Sequence, residues 1–365
     1  MARLVEGKQE LRRGWTTGTC AAAAAKAAYA GLLHGSFPDP VEIALPRGDR
    51  VAFALAETGR DGDAAWAGVV KDAGDDPDVT HGALIRVTVR TAPSGAGVRF
   101  VAGPGVGTVT RPGLPIPPGE PAINPVPRQM IRAALAEIRP APDVVVEISI
   151  PGGEALATRT LNARLGILGG LSVLGTTGIV VPYSCAAWID TIHRGIDVAR
   201  AMGLRHVAGS TGSTSEAAVQ RLHGLPEVAL IEMGDFAGGM LKYLRAHPVD
   251  RVTIAGGVAK MTKLAQGRLD LHSKRGEADM RALAALAPES VAPLVAASNT
   301  VAEAFGHAPE LGDAIAERAW AVAAEALRPA PVALEVVLFD RAGALAGRAP
   351  FAPVHAASPP RNRRR

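Results

Sequence analysis

From about Leu165 onward the chain repeats one rhythm: a short apolar run, a turn of glycine or small polar residues, then a helical stretch. The apolar runs lie at 178–181, 206–208, 228–233 and 252–255, and the helical stretches at 184–202, 215–223, 236–246 and 258–266. Strands that alternate with helices pair in parallel, because each helix returns the chain to the same edge of the sheet. Groups that act on a ligand then gather at the carboxyl ends of the strands. Helical sequence continues to about Leu327, and a further strand is expected at 332–339.

The first half follows another pattern. Thr17 is placed to cap a helix that runs through the alanine-rich segment 20–33 and stops near Gly35 and Pro38. Partly alternating segments at 41–45, 51–56, 67–70 and 84–90 read as strands. Between Gly103 and Pro125, twelve of twenty-three residues are Gly or Pro, which argues against regular structure there. A helix at 127–138 and a strand at 144–150 close this half. The expected fold class is α/β with α+β. It comprises a strand-rich α+β domain over 1–160, an α/β domain with a mostly parallel sheet over 161–330, a returning strand within 331–358 and a disordered basic tail at 359–365.

Charge excludes some partners. The formal net charge of +4 over 365 residues is matched by four arginines among the last five positions, so the body is balanced and needs no nucleic acid. Two cysteines, Cys20 and Cys185, are too few for a disulfide framework or a Cys-only zinc site and fit a reducing compartment. The amino-terminal stretch is charged and lacks the apolar core of a signal peptide, so a cytoplasmic location is expected. Residues 165–189 hold 25 positions without a charge, but their glycines make a poor helix, and no membrane span is expected.

Each motif has a functional and a plain reading. Thr16, Thr17 and Thr19 stand at a helix start, which suits an anion, although N-capping explains them as well. Asp72, Asp75, Asp76 and Asp78 follow a strand. They read either as a solvated turn or as a positioned site with a general base, with Gly74 and Pro77 restricting the backbone. Arg111, Glu120 and Asn124 sit on a chain stiffened by proline. The glycine turns Gly166–Gly170 and Gly175–Gly178 permit close approach of a ligand or of neighbouring backbone. Asp235 falls at a strand's carboxyl end, where an acid holds ribose hydroxyls or caps a helix. Lys260, Lys263 and Lys274 form a basic cluster, suited to substrate carboxylates or to solvent. The histidines stand singly, without metal-ligand spacing, and no protein-bound metal is expected.

Taken in order, the segments GWTTGTCAAAAAKAA, KDAGDDPDVTHG, AGPGVGTVTRPGLPIPPGEPAINPVPRQMI, LGGLSVLGTTGIVVPYS, GDFAGGMLK and TIAGGVAKMTKLAQGRLDLHSK resemble the cobalt-precorrin-5B C(1)-methyltransferase family of cobalamin biosynthesis. The resemblance implies S-adenosylmethionine as methyl donor and a cobalt-bearing tetrapyrrole with acetate and propionate arms as acceptor. It also implies an enzyme that needs neither nucleic acid nor membrane, and it leaves a homo-oligomer open. On that basis Thr16, Thr17, Thr19, Arg111, Glu120, Asn124, Arg128, Lys260, Lys263 and Lys274 are expected to bind the ring. Gly169, Gly170, Gly175, Thr176, Thr177, Gly178 and Asp235 are expected to hold the donor, and Asp72 or Asp75 to assist any proton removal. Residues 183–188, Tyr-Ser-Cys-Ala-Ala-Trp, depart from the acidic residues that the family often carries after this strand. Another transferase with a nucleotide-like donor, or a non-catalytic tetrapyrrole carrier, are the alternatives.

Overall fold

Along Leu84–Thr91, Ile85, Val87 and Val89 are buried while Arg86, Thr88 and Arg90 alternate with them, so this strand has one apolar and one polar face. A computed structural model, which describes residues 11–355, makes it the centre of a five-stranded sheet. The order is Glu57–Asp61, Ala64–Val70, Leu84–Thr91, Val144–Ser149 and Val98–Ala102. Neighbours run antiparallel except the last pair, which is parallel with Val146 opposite Phe100. Glu57–Asp61 and Val98–Ala102 escape sequence reading: the first shows no apolar face, and the second sets only three half-buried residues, Val98, Phe100 and Ala102, against the core.

Helix Thr17–His34 covers the apolar face together with helix Pro125–Ala136. Every residue from Thr17 to Leu32 is buried except Lys26. Alanine suits such a position: its single methyl lets sheet and second helix approach closely on every side, and its helix propensity is the highest. Lys26 keeps its charge paired by donating to Glu137 (2.6 Å) and to the Glu42 carbonyl (2.7 Å). The cap is Thr16 and not the expected Thr17: the Thr16 hydroxyl accepts from the Thr19 N–H, and the helix starts one residue later.

The run 178–181 does not join the parallel sheet. Ile179–Val180 pairs antiparallel with Gly14–Trp15, Ile167–Leu168 with Thr108–Val109, and Gly170–Leu171 runs parallel to Gly105–Val106. The chain accordingly divides into Met1–Ser184 and Cys185–Arg365, and the glycine turns expected in the second domain belong to the first unit. Gly14 is required here by close approach, since a Cβ on it would lie 2.0 Å from the Ala73 carbonyl carbon. The Gly/Pro segment holds only two-residue strands, Gly105–Val106 and Thr108–Val109, before the second helix.

The second unit is doubly wound. Its sheet runs Leu230–Glu232, His206–Ser210, Arg251–Gly257, Ala333–Phe339, all parallel, and ends in antiparallel Leu345–Pro353. That last strand is absent from the sequence reading, which has a single returning strand. Helix Ser213–His223 packs Ala218 and Val219 on one face, against Ala208, Ala255 and Val337. Helices Cys185–Ala201, Ala237–Ala246, Val258–Ala265 and Leu311–Leu327 cover the other. From His206–Ser210 the chain moves outward to Leu230–Glu232, then crosses back to the far side at Arg251–Gly257. The strand order therefore reverses between those two central strands, where an open α/β sheet leaves a crevice. Among the described residues no helix is long and apolar enough to cross a membrane. The tail at 359–365 lies outside the described residues.

Candidate functional site

At the carboxyl ends of the central strands, backbone pairing sets the geometry before any side chain does. The Thr211 N–H donates to the Ala255 carbonyl (3.0 Å), and the N–H groups of Met233 and Gly234 both donate to the Ser210 carbonyl (3.0 and 3.1 Å). This closes the strand ends over one another and brings Asp235 beside helix Val258–Ala265. Lys260 Nζ stands 3.0 Å from Asp235 Oδ1 and donates to the Thr211 carbonyl at 2.9 Å. Asp235 and Lys260, placed by sequence on donor and ring respectively, thus form one pair at a single edge. The ammonium cancels most of the local charge and leaves the second carboxylate oxygen of Asp235 for hydroxyl donors. Lys263 is turned inward, donating to the Leu271 carbonyl (3.1 Å). Lys274 is exposed, with no ion pair among the described residues.

In the first unit most expected site residues are engaged in holding the fold. Thr16 and Thr19 share a hydrogen bond of 2.9 Å, and Thr19 donates to the Gly178 carbonyl at 2.7 Å; with Thr17 all three are buried. A Cβ at Gly175 or Gly178 would meet Thr16 or Thr19, and one at Gly170 the backbone of Gly105, whereas Gly169 faces open space. Thr177 exchanges hydrogen bonds with the Ile179 backbone, and Thr176 is exposed. Arg128 donates to the carbonyls of Ile123 (2.8 Å) and Pro121 (3.1 Å) and to Glu120 (3.1 Å), while Arg111 donates to the Arg164 carbonyl (2.7 Å). These guanidiniums brace the proline-rich loop. Asn124 precedes the second helix without capping it through its side chain.

The acidic run is a docking turn. Asp72 receives both guanidinium N–H groups of Arg12 and the Gly74 N–H; Asp75 accepts from the Arg12 N–H (2.7 Å), and Asp76 from the Tyr183 N–H (2.8 Å). Hydrogen bonds from Arg12, then from Gly74, hold the Asp72 carboxyl down at about 2, so it is a weak base at neutral pH. Sequence reading overlooks Lys71, which is 2% exposed and binds Asp78 and Thr80. Its signal is position: it ends a buried strand and opens the acidic run. Burial drives the Asp78 carboxyl upward, but the Lys71 charge and hydrogen bonds outweigh this and lower it. Burial also pushes the Cys20 thiol up to about 12, which removes it as a nucleophile.

The polar sheet face carries a cavity of about 470 Å³ lined by Trp66, Arg86, Arg90, Asp61, Asp63 and Glu147. Arg86 lies over the Trp66 ring and pairs with Glu57 (2.9 Å), and Arg90 pairs with Glu147 (3.1 Å). Its cations are matched by carboxylates, so it is not built for a polyanion.

The family model described as CbiD matches residues 4–182, and that described as CbiD, C-terminal domain, matches residues 270–350. A protein of Agrobacterium fabrum named cobalt-precorrin-5B C(1)-methyltransferase is 61% identical over 368 residues, covering 97% of this chain and 98% of its own. Proteins of the same name from Bradyrhizobium sp. and Halorhodospira halophila are also 61% identical, over 97% and 94% of this chain and 97% and 95% of theirs. Among solved structures, a cobalamin biosynthesis protein (cbiD) from Archaeoglobus fulgidus is 28% identical with a TM-score of 0.39, covering 73% of this chain and 83% of its own. With relatives this similar along almost its whole length, the chain belongs to the CbiD family.

Proposed function

We propose that the chain transfers the methyl group of S-adenosylmethionine to C-1 of cobalt-precorrin-5B, giving cobalt-precorrin-6A in the anaerobic synthesis of cobalamin. The observation that carries this reading is the 61% identity, over 97% of the chain, to proteins named for that reaction. The sulfonium carbon is already electrophilic: its bond to sulfur breaks with the electron pair staying on sulfur, and a carbon–carbon bond forms at C-1. The protein's task is alignment and exclusion of water, which needs no covalent nucleophile. Cobalt enters with the substrate.

Asp235 at the strand edge is the partner proposed for donor hydroxyls. Lys274 and Asn124, whose side chains the fold leaves unengaged, are the strongest of the proposed ring contacts; Arg111, Arg128 and Lys263 act by holding loops. The free cysteines fit work in the cytoplasm. Anaerobic incubation of the purified protein with cobalt-precorrin-5B and labelled donor is expected to yield a product heavier by one methyl group. Ring binding without label transfer would make it a carrier instead.

A further inference from the structure

Helix Ser213–His223 starts at the carboxyl edge of the second unit's sheet without a side-chain cap. Its first turn-to-turn bond is that of Glu216 to the Gly212 carbonyl, so the N–H groups of Ser213, Thr214 and Ser215 lack an intrahelical acceptor. Ser210, fully buried, has a hydroxyl oxygen with no hydrogen-bond partner. It lies two residues from Ala208, which packs against Ala218 and Val219, so its side chain is on the face of the strand that this helix covers. Two glycines at the edge have no need of being glycine. Gly212 has φ 168° and Gly257 φ −72°, conformations open to any residue, and a Cβ on either would meet nothing within 4 Å. Gly256 between strand and helix is different, being packed against Met261 and Thr211. Free backbone donors and the open space at Gly212 and Gly257 thus follow within a few residues of the buried Ser210 hydroxyl, at the edge where the Lys260 ammonium touches both the Thr211 carbonyl and Asp235.

We infer that this edge holds the methyl donor by its amino-acid end: the carboxylate sits on the N–H groups of Ser213–Ser215 and the Ser210 hydroxyl, while the ribose hydroxyls reach Asp235. The inference rests on the reading above that S-adenosylmethionine is the donor. A helix start supplies donors and positive potential to a carboxylate, while the Lys260 charge is already matched by Asp235.

The test uses the full chain and compares S-adenosylhomocysteine with 5′-methylthioadenosine, which lacks the amino-acid end, by calorimetry. The wild type is expected to prefer S-adenosylhomocysteine by about tenfold or more. Gly212→Asp places a capping carboxylate where the ligand's would sit; it is expected to raise Tm and to abolish the preference. Gly257→Leu fills the open space and is expected to weaken both ligands by about tenfold or more, with folding intact by circular dichroism. A wild type without the preference, a Gly212→Asp protein that keeps it, or a Gly257→Leu protein that binds normally overturns the placement. Loss of acceptor binding alone in Gly212→Asp overturns it too, by giving the helix start to a ring carboxylate. Wild-type methyl transfer is measured separately: product formed with the placement overturned leaves the reaction standing, whereas neither product nor nucleoside binding sinks both.

Discussion

Asp72 and His206 are two titratable side chains whose surroundings move them in the same direction for different reasons. Asp72 is held at about 2 by Arg12 and Gly74, so its folded carboxyl is more acidic than in the unfolded chain. Its contribution is complete above about pH 4 and is lost as pH falls toward 2. Asp72→Asn should lower Tm at neutral pH while leaving single-turnover methyl transfer nearly unchanged; a loss of about 100-fold or more would restore Asp72 as a general base. His206 is half-buried beside His223 and held at about 4, first by its partial burial and then by the neighbouring ring's charge. The unfolded chain takes up a proton near 6.5 and the folded chain does not, so stability declines as pH falls from about 6.5 to 4. Replacing His206 with Gln should flatten that decline, which is worth on the order of 1–3 kcal/mol. Denaturation midpoints across the window decide it, and an unchanged slope counts against the assignment.

At the scale of the element, the alanine helix shows how far local sequence reaches. Its composition forecasts a helix because alanine loses no side-chain freedom there, and its end at Gly35 follows from the left-handed conformation of that residue (φ 73°). Its start is not written locally, since Thr16 and Thr17 are chemically equal caps, and tertiary bonds to the Gly178 carbonyl from the Thr16 N–H and the Thr19 hydroxyl accompany the extended backbone of Thr16 that makes it the cap. Thr16→Ala should cost about 1 kcal/mol through the lost cap, and more if Thr19 loses its orientation; Thr17→Ala should cost less. Equal effects in urea titrations would mean that the cap is not at Thr16. The strand Glu57–Asp61 was invisible for the opposite reason. Charged and glycine residues there gain strand geometry only from pairing with Ala64–Val70.

Among the described residues, besides smaller clusters around Val109 and Ile116 and beneath helix Ser213–His223, each unit has one large apolar core, the first built on the alanine helix and its sheet, the second around strand Arg251–Gly257. Each is large enough to unfold as its own unit, so urea should give two transitions. Gly14→Ala, which drives a methyl into the Ala73 backbone, should shift only the first unit's transition. Glu335→Leu should shift only the second, by on the order of 3 kcal/mol, because buried Glu335 accepts from His223, Thr253 and Arg348. One concerted transition moved by both variants would show that the cores are coupled.

What the sequence by itself determined is whatever depends on near neighbours: the helices, the strands with clear alternation, the parallel α/β rhythm of the second half, and the family through its ordered motifs. Periodicity, capping and glycine turns act over a few residues, so they are written locally. Tertiary structure alone decided that the glycine turns serve the first unit, that the acidic run docks Arg12 and Tyr183, and that Asp235 and Lys260 meet at one edge. Those outcomes depend on pairings between residues 25 to more than 100 positions apart. Such contacts form only when sheet register and burial bring the segments together, and no local preference records them.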